Sequence, residues 1–106
     1  MQRFELKTMK GGWFLGDFEP AAFRTPVAEV CCKHYRAGEA EPRHVHRVAT
    51  EVTLIVSGRA RMNGVEYGTG DIVRLEPGEM ADFMVLEDTI TVVVKTPSIL
   101  GDKYPA

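Results

Sequence analysis

Residues 38–58, GEAEPRHVHRVATEVTLIVSG, constrain this chain more than any other stretch. A glycine stands at each end, and between them lie two histidines one residue apart, a glutamate five residues on, and an apolar run. On an extended strand the His-x-His spacing sends both imidazoles to one face. Glu51 has the wrong parity to join them on a straight strand, so a bend or bulge near Val48-Ala49-Thr50 is expected. With that bend, His44, His46 and Glu51 bring together two neutral nitrogens and one carboxylate. Such a set suits a divalent transition metal (iron, manganese, zinc or nickel) and leaves coordination positions open.

The rest of the chain reads as short strands separated by turns. Residues 2–9 alternate weakly around Phe4 and Leu6 and predict an N-terminal strand. A second strand is predicted over 27–35, with Glu29, Cys31, Lys33 and Tyr35 on one face and Val30, Cys32 and His34 on the other. Residues 52–56 are apolar on both faces. A strand with one face in water should alternate, so both faces are expected to be covered, one by the barrel interior and the other by a second layer or subunit. Asn63-Gly64 is the strongest hairpin signal. Further strands follow at 65–67, 72–75, 81–86 and 89–96, the last rich in β-branched residues. No segment shows helical periodicity, and the tail after Pro97 is too polar and broken for a helix. The pattern predicts an all-β sandwich or small barrel.

A chain of 106 residues is sized for a single domain, 1–106, with a modest core. The formal net charge of −2 argues against a nucleic-acid or anionic-membrane surface. No apolar stretch approaches the roughly 20 residues a spanning helix needs. The N-terminus lacks the apolar core of a signal peptide, so a cytoplasmic location is expected. Cys31 and Cys32 are adjacent and point to opposite faces of a strand, which disfavours a bridge between them. Trp13 reads as a core or dimer-interface plug, Met62, Met80 and Met84 as packing residues, and His34 as a surface histidine outside the site.

Gly38, His44, His46, Glu51 and Gly58 also resemble the first motif of the cupin superfamily: glycine, five residues, His-x-His, three or four residues, glutamate, six residues, glycine. The resemblance implies a small single-domain cupin, a double-stranded β-helix or jelly-roll barrel with a metal held inside by His44, His46 and Glu51. The family's second motif, a glycine followed by a proline-glycine turn and then a histidine, is matched by Gly70 and by Pro77-Gly78. Its histidine position falls on Ala81, leaving Glu79 and Asp82 as substitutes if the backbone departs from the family's path. Arg43, Arg47, Thr53 and Arg61 are candidates for the cavity mouth, where an inward arginine favours a carboxylate or sugar-acid ligand. Tyr104 is a candidate anchor for the tail. The resemblance further implies a homodimer and a small-molecule ligand such as a sugar or organic acid. Two functions follow: a metal-dependent enzyme (oxygenase, isomerase or decarboxylase), or a metal-free accessory module that binds its ligand without turnover.

Overall fold

Turns rich in glycine, proline and asparagine cut the chain into eleven short strands, described over residues 1–106 by a computed structural model. They are β1 (Trp13–Gly16), β2 (Phe23–Arg24), β3 (Glu29–Tyr35), β4 (Ala40–Val45), β5 (Thr50–Ser57), β6 (Arg59–Met62), β7 (Val65–Gly68), β8 (Ile72–Leu75), β9 (Met80–Val85), β10 (Thr89–Thr96) and β11 (Tyr104–Pro105). One sheet has the order β2-β1-β3-β10-β5-β8 and the other β11-β4-β9-β6-β7. All pairings are antiparallel except β1 with β2. The Asn63-Gly64 hairpin forms as its sequence predicts, with positive φ at both residues, 50° and 80°. At Gly58, with φ of 102°, a Cβ would stand 2.4 Å from the Asp88 carbonyl, so only glycine fits where β5 turns into β6.

β9 alternates buried and exposed residues without a break, and its Ala81, Phe83 and Val85 meet Ile55 of β5 and Ala60 and Met62 of β6 in the apolar core. Tyr35, Tyr67, Val73 and Leu75 close around that cluster. Elsewhere the inner face of the six-stranded sheet mixes polar rows with the buried Cys31 and Val93. Glu29 of β3, Lys95 of β10 and Glu51 of β5 are cross-strand neighbours in one row, and Lys33 and Thr91 pair in another. This apolar-to-polar change along one inner surface places the cavity described below.

Two local expectations are corrected, and a third is met only in part by the chain itself. Residues 2–9 form no strand. Leu6–Thr8 and Lys10–Gly12 are single 3-10 turns, because Thr8 folds back to bond the Glu5 carbonyl through its amide (3.1 Å) and its hydroxyl (2.8 Å). The outer face of β5 is only partly covered: Val56 is 43% exposed, and Leu54 lies opposite the exposed Ile72. Met62 packs in the core, whereas Met80 and Met84 occupy the outward positions of β9 and are exposed. No helix is long and apolar enough to cross a membrane.

Candidate metal and ligand site

The bend expected after His46 is a crossover between sheets. β4 ends at Val45 in one sheet and β5 begins at Thr50 in the other. The amides of this link would have no partners of their own, and Asp102, more than fifty residues away, supplies them. Its Oδ1 accepts from the Arg47 and Val48 amides (2.9 and 3.2 Å), and its Oδ2 from those of Val48 and Ala49 (3.2 and 2.9 Å). Burial pushes the Asp102 carboxyl up, but the Ala49, Arg47 and Val48 amides outweigh it and hold the group below the usual carboxylate range. The same residue's backbone carbonyl accepts the Nδ1–H of His46.

The tail that carries Asp102 is fastened on both sides. The Ser98 amide donates to the Pro26 carbonyl (3.0 Å), and the Ser98 hydroxyl accepts from the Asp17 amide (2.9 Å). Further on, Tyr104 pairs with Val45 in β4 and carries the Arg47 guanidinium 3.9 Å from its ring centroid. Tyr104 is thus the tail anchor read from the sequence.

His44 and His46 come together on one side of the chain, with ring centroids 5.1 Å apart. His44 donates its Nδ1–H to the Pro42 carbonyl at 3.0 Å. Each imidazole therefore has Nδ1 committed to a backbone carbonyl, the arrangement that leaves Nε2 as the ligating nitrogen. His46 Nε2 lies 3.7 Å from Glu51 Oε1, is buried, and has no hydrogen-bond partner. The Glu51 carboxylate raises the His46 pKa above that of an ordinary histidine, against the opposing effect of burial. All three predicted residues line one cavity of about 330 Å³. The donor chemistry and the orphaned Nε2 fit a divalent transition metal. As the side chains stand, no three His, Cys, Asp or Glu groups are close enough together to hold one.

The remaining candidates sort differently. Ala81 stands directly opposite His44 across β4 and β9 and is buried, so the second-motif position carries no ligand. Neither proposed substitute replaces it. Glu79 is exposed and its carboxylate caps the Glu76 amide at 2.9 Å, and exposed Asp82 accepts from the Asn63 amide at 2.8 Å. Thr53 faces the cavity as its parity predicts. Arg43, Arg47 and Arg61 are exposed and do not line it; Arg61 instead pairs with Glu66 at 3.5 Å.

The cations that do line the cavity are lysines. Lys95 pairs with Glu29 at 3.4 Å, both side chains being 12% exposed. Lys33 donates to Glu41 Oε1 at 3.2 Å, and the Tyr35 hydroxyl donates to the same oxygen at 3.1 Å. Burial pushes the Glu41 carboxyl up, yet the Lys33 ammonium more than offsets this and leaves it below its ordinary value. Trp13 forms part of the same wall, with Lys95 Nζ 4.9 Å and Lys33 Nζ 5.5 Å from its ring centroid. It also meets Phe18 edge-to-face, with ring centroids 6.5 Å apart, so the core or dimer-interface plug read from the sequence is a cavity wall set between an aromatic ring and charged groups. Lys33 was legible in the parity it shares with Cys31, and Lys95 in that of Val93. Asp102 had no local signal, because it acts on a link distant in sequence.

No family model matches the chain, and no curated protein matches it. Solved structures do. A protein with a double-stranded β-helix domain from Klebsiella pneumoniae is 28% identical, with a TM-score of 0.66 over 73% of this chain and 69% of that one. KdgF from Halomonas is 20% identical, with a TM-score of 0.64 over 71% and 74%. An RmlC-like cupin from Shewanella frigidimarina is 19% identical, with a TM-score of 0.66 over 72% and 71%. The fold shared with them is the double-stranded β-helix, or jelly roll.

Proposed function

We propose that this chain, which shares the double-stranded β-helix of those structures, is a small protein of the cupin superfamily, and that residues 1–106 form one cupin domain holding a divalent transition metal through His44, His46 and Glu51. The metal and the cavity together would bind or act on a small polar molecule such as a sugar or an organic acid. The observation that carries this reading is His46. Its ring is fixed by the Asp102 carbonyl, and its other nitrogen is buried beside Glu51 with nothing to bond. A buried polar atom without a partner is unfavourable, and a divalent cation held by these residues would supply one. A bound metal would supply Lewis-acid polarisation of a ligand oxygen or open positions for a ligand. The chain's own residues orient the imidazoles and line the cavity.

A second reading, a metal-free accessory module, is favoured by the missing ligand at Ala81 and by the present spacing of the three donors. In it, His46 stands beside Glu51, whose carboxylate favours the protonated ring over the neutral one. Elemental analysis of protein purified without added metal separates the two. About one metal per chain, lost in both His44→Ala and His46→Ala, supports the first reading; none supports the second. We further propose a homodimer in the cytoplasm, with no nucleic-acid partner. The half-open apolar surface of Leu54, Val56 and Ile72 supports the dimer, and the net charge of −2 supports the exclusion of nucleic acid.

A further inference from the structure

Two buried side-chain polar atoms in this chain lack a hydrogen-bond partner, His46 Nε2 and Thr91 Oγ1. Both residues line the same cavity. The first belongs to the site described above, but the second does not. Thr91 is 1% exposed and lies on the inner face of β10, opposite Lys33 of β3 on one side and Ile55 of β5 on the other. A hydroxyl removed from water with no partner is unfavourable unless something in the cavity bonds it.

We propose that Thr91 and Lys33 form a second holding point in the cavity, which takes a hydroxyl of a polyhydroxylated molecule of about six carbons whose other end lies at His46 and Glu51. The near end rests on the function proposed above; the far end rests on Thr91 alone.

The chemistry of the far end selects a hydroxyl. Lys33 uses one of its N–H groups on Glu41 Oε1, which leaves donors for a ligand. Glu41 Oε2 receives no protein donor, since both Lys33 and Tyr35 bond Oε1. The Thr91 hydroxyl both donates and accepts. A ligand hydroxyl matches this mixture of donors and acceptors. A carboxylate matches it poorly, because it has no hydrogen to donate to Glu41 Oε2.

The length follows from register. Thr91 and Lys95 are four residues apart on β10, and Lys95 lies opposite Glu51. At about 3.3 Å per residue the two rows are some 13 Å apart at the backbone. A hydrogen bond of about 3 Å at each end leaves about 7 Å, roughly the length of a six-carbon chain. The cavity of about 330 Å³ sits at the small end of ligand pockets, which suits a single sugar unit or sugar acid.

The test uses gluconate, a six-carbon acid with hydroxyls along its chain, and adipate, a six-carbon diacid without them. Binding is measured by calorimetry on the purified protein, with and without Co²⁺. Wild type is expected to bind gluconate saturably and adipate far more weakly. Thr91→Val, which keeps the shape and removes the hydroxyl, is expected to weaken gluconate about fivefold or more. It should take up Co²⁺ as wild type does and melt at or above the wild-type temperature, and Thr91→Ser should restore binding. The proposal is overturned if gluconate does not bind, if adipate binds as well, or if Thr91→Val binds gluconate like wild type. A lowered melting temperature with binding intact also overturns it, since the hydroxyl then serves only an internal water. If Co²⁺ is not taken up but gluconate binding still depends on Thr91, the metal reading fails and the second holding point stands.

Discussion

Replacing Asp102 by alanine removes one carboxylate and strands three amides of the link between β4 and β5. A hydrogen bond to a charged acceptor contributes about 1.5–3 kcal/mol. The three are not worth their full sum, because Arg47 and Val48 are surface residues whose amides can turn to water, whereas Ala49 is buried. Counting the Ala49 bond in full and the others at about half gives an expected loss of about 3–6 kcal/mol for Asp102→Ala. At about 4 °C per kcal/mol for a domain of this size, that is a fall in melting temperature of roughly 12–24 °C. Asp102→Asn keeps one acceptor oxygen but turns an NH₂ toward a backbone N–H, so about half the loss is expected. The pH dependence supplies a second constraint. Asp102 titrates below its unfolded value, so its contribution is complete above the ordinary carboxylate range near pH 4 and disappears as pH falls through the folded value. Urea unfolding of wild type and Asp102→Asn, followed by circular dichroism from neutral to strongly acid pH, measures both. A cost for Asp102→Ala below about 1 kcal/mol, or a gap between wild type and Asp102→Asn that does not close in acid, would refute the clamp.

Three shorter tests address the cavity. In metal-free protein the His46 imidazole should titrate, by NMR, above the ordinary histidine value, and Glu51→Gln should bring the midpoint down. Because the folded pKa is raised, the stability this pair contributes is complete below the unfolded value near pH 6.5 and lost as pH rises through the folded one. The Cys31 thiol, buried and pushed up to about 12, should resist a thiol reagent at pH 8 in the native protein and react on unfolding; rapid labelling of both cysteines in the native state contradicts its burial. Ala81→His places an imidazole opposite His44 and should raise Co²⁺ affinity by about tenfold or more in equilibrium dialysis; no gain would mean that this wall lies outside any coordination sphere.

The features legible in sequence were those written in local chemistry. Asn63-Gly64 announced its hairpin, and β9 and β10 followed from alternation and β-branching. The parity argument at His44, His46 and Glu51 required the chain to turn, and the chain turns there. The size of the turn was not legible, because a bulge within one strand and a crossing between sheets leave the same signature in parity. What decides between them is Asp102, whose role depends on where the tail returns. Arg43, Arg47 and Arg61 were candidates for the mouth, but position decided otherwise: Lys33 and Lys95 sit at inward parity in strands whose neighbours are buried, and the arginines lie on links and outer faces. Residues 2–9 misled for a related reason. Weak alternation predicts a strand only where a partner edge is available, and here the backbone bonds to itself at Thr8.

His44 belongs to one sheet and Glu51 to the other, and His46 lies on the segment that joins them. Anything that grips all three is a rivet through the sandwich rather than a guest on its surface. Slow exchange of amides far from the cavity, on both sheets at once, is how such a rivet would announce itself, because prying the sheets apart would first require releasing it.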